Sequence, residues 1–506
     1  MSNKQKLLYL TLLCALLNGC ALLDSLKLKQ TPEAIVKESK LPANWQAPLP
    51  HDGKVEKLSE FWQQFNDALL LELIDSAQQV SPNIAAAKTR IAQARSARIN
   101  QVAIARPNLD ATFSTSRAKQ QPDTDASGVN SGAASGGASG AGFTAGFGSG
   151  ATNTTQIGLQ SAWELDLFGV NKVLIDSAIK TENAAQAGWH DARVAVAAEL
   201  ATSYMNLRFC NAQAAILAND LTSRKETARI TAIAIKAGFT PPASQYLADA
   251  GVLDTTQQLN AQQANCDMIV KELVALTDIA EPTLREKLTK QNFNVADMQN
   301  KYQIDAIPAQ TLAQRPDIIN AEAELIGAAA DLQRKQSARL PRVSLSGSIG
   351  WMWLSGVGFS GSGEVWSLGP LSVTLPIFDS GKRKGEADSA LASYEEAAVN
   401  YRNKLRVAVK EVETALVDLH STQARHKDLQ QALIGYQASF KATQAKVSAG
   451  FANLIELEES RRLALQTEIN LMNMLQTRTN AWVSLYRAAG GDWQKIQTTT
   501  VIESQI

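Results

Sequence analysis

Ser161-Ala162-Trp163-Glu164-Leu165-Asp166-Leu167-Phe168-Gly169 alternates apolar and polar residues and then stops at a turn. A second version, Val373-Thr374-Leu375-Pro376-Ile377-Phe378-Asp379-Ser380-Gly381, stands at a matching place later in the 506-residue chain. Each copy leads into a charged, alanine-rich stretch without proline, and each stretch ends at the same tripeptide, Ala237-Gly238-Phe239 or Ala449-Gly450-Phe451. The spacing from Phe168 to Gly238 is 70 positions and from Phe378 to Gly450 it is 72. Two landmarks held at near-constant spacing mark an internal repeat.

Period two extends outward from that motif. Leu109, Ala111 and Phe113 alternate with Asp110, Thr112, Ser114 and Ser116; Ile157, Leu159, Trp163, Leu165 and Leu167 alternate with Gln156, Gly158, Gln160, Glu164 and Asp166. Val343, Leu345, Ile349, Trp351 and Trp353 form the apolar set of a third strand, and a fourth is expected over about Val365 to Leu375. Such strands, with Trp163, Trp351, Trp353 and Trp366 for interfacial girdles, suit a membrane barrel with lipid outside and water inside; the same alternation also suits a half-buried soluble sheet. The stretch from Pro122 to Thr152 inside the first strand pair is Ser, Gly, Ala, Asn and Thr almost throughout, and reads as a long loop.

Past residue 20 there is no run of about 18 apolar residues, so a membrane crossing has to use strands. Four strands do not close a barrel, which begins at about eight. Threefold association, giving about twelve strands, is the simplest closed solution.

The helical stretches are long. Lys172 to Lys236 has no proline and would reach ~100 Å if continuous. Leu405, Val409, Val412, Leu416 and Leu419 step by four and three, a seam of helices packed along their length. Gly188 and Gly435 are candidate bends, and each long helix is expected to turn at its Ala-Gly-Phe tip into a returning helix, from about Pro242 to Thr277 and from about Leu454 to Arg487. The expected fold class is α+β: a trimeric β-barrel with four strands per chain, continuous with a long α-helical barrel, and an internal two-fold repeat.

Lys4 and Lys6 precede a short apolar run, Leu7 to Leu17, as in a cleavable signal. The run ends in Leu17-Asn18-Gly19-Cys20, which resembles a bacterial lipobox and implies a lipid on Cys20; Ala21 is not the aspartate that retains such lipoproteins at the inner membrane. The segments are then 1–19 signal, 20–59 lipidated linker, 60–310 first repeat, 311–493 second repeat and 494–506 tail.

Composition excludes more than it assigns. Lys and Arg number 49 against 49 Asp and Glu, which gives no basic footprint for nucleic acid. His51, His190, His420 and His426 form no spaced metal pair, no phosphate loop or nucleophile motif appears, and no cofactor or enzymatic activity is expected. Cys210 and Cys266 lie 28 positions before and after Gly238, so a hairpin turning there brings them to one height. Two readings stand, a periplasmic disulfide or two small buried apolar side chains.

The motif around Trp163 resembles the signature of the outer-membrane factors of tripartite efflux pumps, the lipoprotein channels that serve resistance-nodulation-division transporters. Arg315-Pro316-Asp317-Ile318, Pro376-Ile377-Phe378-Asp379, Leu485-Tyr486-Arg487-Ala488 and Gly490-Gly491-Asp492-Trp493 follow in the family's order, with Phe61-Trp62 and Asn83 before them. The resemblance covers about residues 60 to 493. It implies a homotrimeric exit duct in the outer membrane for small molecules such as drugs, joined through a periplasmic adaptor to an inner-membrane pump. It places adaptor contacts at Gly238, Phe239, Gly450 and Phe451, and a periplasmic aperture at Ile455, Glu456 and Glu459. Glu456 and Glu459, one turn apart, read equally as an acidic ring lining the aperture or as a solvated first helical turn with Arg461 and Arg462 as neutralising neighbours. Thr240-Pro241-Pro242-Ala243-Ser244 departs from the family, where an acidic residue usually follows the first tip. A protein-secretion channel of the same fold and a non-conducting envelope scaffold are the competing functions.

Overall fold

A computed structural model describes residues 31–39, 58–119, 151–291, 312, 315–356 and 359–491. Cys20, His51, the signal, most of the Gly/Ser loop, and Asp492 with Trp493 lie outside the described residues. In chain order the elements are α1 (Pro32–Glu38), a 3-10 turn (Leu58–Phe65), α2 (Ala68–Val80), α3 (Pro82–Ile104), β1 (Asn108–Lys119), β2 (Ala151–Leu165) and α4 (Val170–Lys236). Then follow α5 (Ala243–Thr277), α6 (Glu281–Lys290), α7 (Pro316–Ser337), β3 (Arg342–Gly356), β4 (Phe359–Thr374), α8 (Lys382–Ser448) and α9 (Leu454–Ala488). The described residues divide into two compact units, one within 95–179 and 327–394, the other within 31–94, 180–326 and 395–491.

The first unit holds a four-stranded antiparallel sheet in the order β1-β2-β3-β4. Cross-strand partners share a face, so the register sorts the side chains. Phe113, Ile157 and Trp351 stand in one row, which ends on β4 at Glu364, and Ala111, Leu159, Ile349 and Trp366 stand in the next. Trp163, Leu345 and Leu371, then Leu165, Val343 and Val373, continue that face toward the helices. The opposite face carries Asp110, Gln160, Ser348 and Ser367 in one row and Ser114, Gln156 and Met352 in another, with Leu354 and Val365 as its other large apolar residues. From Leu345, beside Trp163, to Trp353 is eight residues, or about 27 Å along the strand, close to the ~25 Å apolar band of an outer-membrane barrel. Among the described residues the outer strands β1 and β4 each have one neighbour.

The strand expectations need two corrections. β4 starts at Phe359, not near Val365, because the Ser-Gly-Ser-Gly stretch has little strand propensity of its own and is held by pairing with β3. A register shift between Leu345 and Gly347 puts one extra residue in β4, so the apolar face runs through Val373 and Leu371 and then Leu368 and Trp366. Ala151 and Thr152, expected in the loop, already belong to β2.

The second unit is helical. α4 and α8 are each 67 residues long, and α5 and α9 are each 35. Neither Gly188 nor Gly435 interrupts its helix. On α8 the buried seam is Tyr401, Leu405, Ala408, Val412, Ala415, Leu419 and Thr422, a strict four-three heptad step. Val409, expected in the seam, is only half-buried; its place is taken by the smaller Ala408, which is fully buried. Phe209 of α4 packs with Leu471, Met474 and Leu475 of α9. Ala184 and Ala187 let α7 approach α4 at Ile319 and Ala323. No described helix is long and apolar enough to cross a membrane.

Candidate functional site: the hairpin tips

The motif that opens the sequence has a mechanical task. Asp166 accepts hydrogen bonds from the backbone N–H groups of Val170, Asn171 and Lys172 at 2.8, 2.9 and 3.2 Å, which satisfies the free donors at the start of α4. In the second copy Asp379 accepts from Gly381 N at 3.1 Å and Arg383 N at 3.3 Å, and pairs with the Arg383 guanidinium at 2.9 Å. Each carboxylate converts a strand end into a helix start. Arg315 of the Arg-Pro-Asp motif is buried, bonded to Asp317 at 3.0 Å, Glu411 at 2.7 Å and the Ala488 carbonyl at 2.7 Å, so it ties α7 to α8 and to the end of α9. Phe61 stacks on Tyr486 at 4.6 Å, and Tyr204 donates to Asp67, the cap of α2.

The two tips have one backbone design. Gly238 and Gly450 have φ of +74° and +80°, the left-handed region that favours glycine. Phe239 N donates to Ala234 O and Gly238 N to Ile235 O, both at 2.9 Å; Phe451 N donates to Lys446 O at 2.8 Å and Gly450 N to Val447 O at 3.0 Å. This pair of bonds is a Schellman cap, and it projects Phe239 and Phe451 to 86% and 84% exposure. The returning helices start differently: α5 begins after Pro242 with no side-chain cap, whereas Asn453 caps α9 through Glu456 N at 2.9 Å.

Beyond the second tip, Ile455, Glu456 and Glu459 are exposed on one stripe of α9. With Tyr436, Ser439, Thr443 and Asn453 they line a cavity of about 520 Å³. Glu456 receives Asn453 Nδ2 at 2.8 Å. Glu459 is gripped by Arg462 at 2.7 and 3.0 Å, and that hydrogen bond holds its carboxyl below the usual value. The neutralising neighbour of the stripe is therefore Arg462 alone.

Arg461 turns the other way, a correction to its expected role. Only 2% exposed, it donates to Glu458 at 2.6 Å, Ser223 at 3.1 Å and Thr227 at 2.8 Å, and lies 5.4 Å over the Phe440 ring. Asp220, 3.7 Å from Arg461, is also bound by Arg224 at 2.7 Å, and Arg224 reaches Glu458. Burial lowers the pKa of Arg461 against the pull of Glu458 and Asp220. The network joins α4, α8 and α9 a few turns from the tips. Its signal in the sequence was an arginine on the apolar seam between Leu457 and Ala464, four and three steps away.

Cys210 and Cys266 are joined in the structure, with Cα atoms 5.6 Å apart. Among the described residues no group of three or more His, Cys, Asp or Glu side chains could hold a metal ion. Burial, then repulsion from Arg193, lowers His190 to about 4.

The sequence model of outer membrane efflux proteins matches residues 73–277 and 307–491. The chain belongs to the outer membrane efflux protein family. This outer membrane efflux protein is 24% identical over 483 residues to the pyoverdine export outer membrane protein OpmQ of Pseudomonas aeruginosa, covering 95% of this chain and 97% of that one. It is 26% identical over 495 residues to the toluene efflux pump outer membrane protein TtgI of Pseudomonas putida, again covering 95% and 97%. Among solved structures, the outer-membrane channel OprN matches with a TM-score of 0.77 at 24% identity, over 89% of this chain and 98% of that one. The CmeC outer membrane channel of Campylobacter jejuni matches with a TM-score of 0.74 at 23% identity, over 89% and 92%. The efflux protein thus has the fold of these channels and resides in the Gram-negative outer membrane.

Proposed function

We propose that three copies of this chain form the exit duct of a tripartite efflux system. The observation that carries the reading is the four-stranded sheet with one mainly apolar and one mainly polar face and two edges that pair with no other strand among the described residues. An open edge is not tolerated in lipid, and pairing β1 of one copy with β4 of the next removes it. Twelve strands then enclose a lumen walled mainly by Ser, Thr, Asn, Gln and a few charged side chains, with Met352, Leu354 and Val365 among them. The internal duplication over residues 60–310 and 311–493 supplies each copy with two strand pairs and two helical hairpins, while Cys20 carries the lipid anchor.

On this reading the long hairpins cross the periplasm, and Gly238, Phe239, Gly450 and Phe451 meet an adaptor that links the duct to an inner-membrane pump. Ile455, Glu456 and Glu459 narrow the closed end. Adaptor docking splays the tips, and the Arg461 network opposes the splaying. The chain converts no energy. The relatives' names speak of pyoverdine, toluene, solvents and cations, which supports small cargo chosen elsewhere in the system.

Single-channel conductance of the purified protein in a planar bilayer, with oligomer mass in the same detergent, tests this. A conducting trimer is expected. A monomer without conductance would overturn the reading and leave an envelope scaffold.

A further inference from the structure

The two helical hairpins have equal lengths and equal tips but unequal bonds between their arms. In the first, Cys210 of α4 is bonded to Cys266 of α5, each 28 positions from Gly238. In the second, the residues 28 positions from Gly450 are Thr422 on α8 and Arg478 on α9, which cannot cross-link. Beside the disulfide, Gln262 of α5 donates to the Cys210 carbonyl at 3.2 Å and to Gln213 at 3.1 Å. On its other side α4 meets α9 through amides: Gln213 to Asn473 at 2.8 Å, and Gln476 to Asn206 at 2.8 Å. That seam also holds the Phe209 cluster and the Arg461 crossing, none of them covalent.

We propose that the Cys210–Cys266 disulfide is a permanent brace that fixes the axial register of the first hairpin, so that the Gly238–Phe239 tip is held stiff by a covalent bond that the second hairpin, without cysteine, does not have. Both cysteines are buried, at 4% and 6% exposure, which shields the bond from reductant and makes it a structural staple rather than a switch. Its formation removes two protons and two electrons from the thiols; a disulfide-bearing oxidant of the oxidising compartment accepts them and leaves as a dithiol. The brace rests on the periplasmic placement proposed above for the hairpins, but not on conduction.

A cross-link that closes 56 positions shifts the balance against opening by roughly 10³-fold at most. The test uses the full-length, membrane-extracted protein. Peptides carrying Cys210 and Cys266 are first scored for alkylation in denaturant, with and without a phosphine reductant. Protection before reduction and two alkylated thiols after it are expected; free thiols before reduction would overturn the brace. Amide hydrogen exchange is then compared before and after reduction. Residues 211–265 should exchange at least about tenfold faster once reduced while residues 423–477 are unchanged. Equal change in both hairpins, or none in either, would overturn it. The Cys210→Ser, Cys266→Ser variant should reproduce the reduced pattern, and if it does not fold, reduction of the native protein still decides. Conductance measured on the same sample separates the two readings, since a silent bilayer counts against the duct and leaves the exchange result standing.

Discussion

The first and second hairpins, α4 with α5 and α8 with α9, have the same lengths and the same Schellman tips, yet they are held by different chemistry. The first has a covalent bond between its arms and no side-chain cap on its returning helix. The second has an Asn453 cap and sends a buried arginine across to α4. The comparison teaches that one backbone frame accepts different fastenings.

Breaking the crossing should have the largest effect. Arg461→Ala removes one of the two arginines on Asp220 and Glu458 and leaves both carboxylates to Arg224, so it should destabilise the helical unit by about 3 kcal/mol, the low end for a broken buried pair, read as a lowered thermal midpoint and as faster exchange on both faces of the α4 to α9 seam. Unchanged exchange there would make the network ornamental.

The next effect is confined to α4, where His190 stands 48 positions before Gly238 and Arg402 stands 48 before Gly450. The folded state keeps His190 neutral down to about 4, so between pH 6.5 and about 4 the unfolded state holds the extra proton and stability falls as pH falls. With a discount for its partial exposure the loss is about 2 kcal/mol at most, and His190→Gln should flatten that slope in thermal melts taken across this range.

A smaller test sharpens the difference in caps. Asn453→Ala should cost about 1 kcal/mol and fray α9 next to the stripe of Ile455, Glu456 and Glu459, whereas Pro242→Asp should stabilise the start of α5 by up to about 1 kcal/mol. Exchange of the first-turn amides reads both, and equal response at the two tips would contradict the asymmetry. The smallest effect on stability is expected from Glu456→Ala with Glu459→Ala, within about 0.5 kcal/mol, because both side chains are exposed. Cation preference in the bilayer should fall all the same, and unchanged selectivity would remove these residues from the aperture.

Much of this was legible in the chain. Alternation at residues 109–116, 156–167 and 343–353 located three strands; proline-free stretches between matched landmarks located the long helices; and the 28-position symmetry about Gly238 matched Cys210 with Cys266. These features are local, and an amphipathic period or a turn glycine states its own geometry. Residues 359–364 were missed because glycine and serine carry no period, and they become strand only by pairing with β3. The extra residue in β4 that moves Leu368 and Trp366 onto the apolar face is equally a property of two strands together.

Arg461 and Arg462 show where the boundary lies. By itself the sequence determined that two arginines follow an acidic helix start, and that the first of them occupies a seam position. Only the tertiary structure decided that Arg462 stays with Glu459 on the exposed stripe while Arg461 enters the seam to meet Asp220, Ser223 and Thr227, more than 230 positions away. Periodicity reports whether a side chain is buried. The partner that makes burial of a charge affordable comes from another helix, and its position is fixed only when the helices pack.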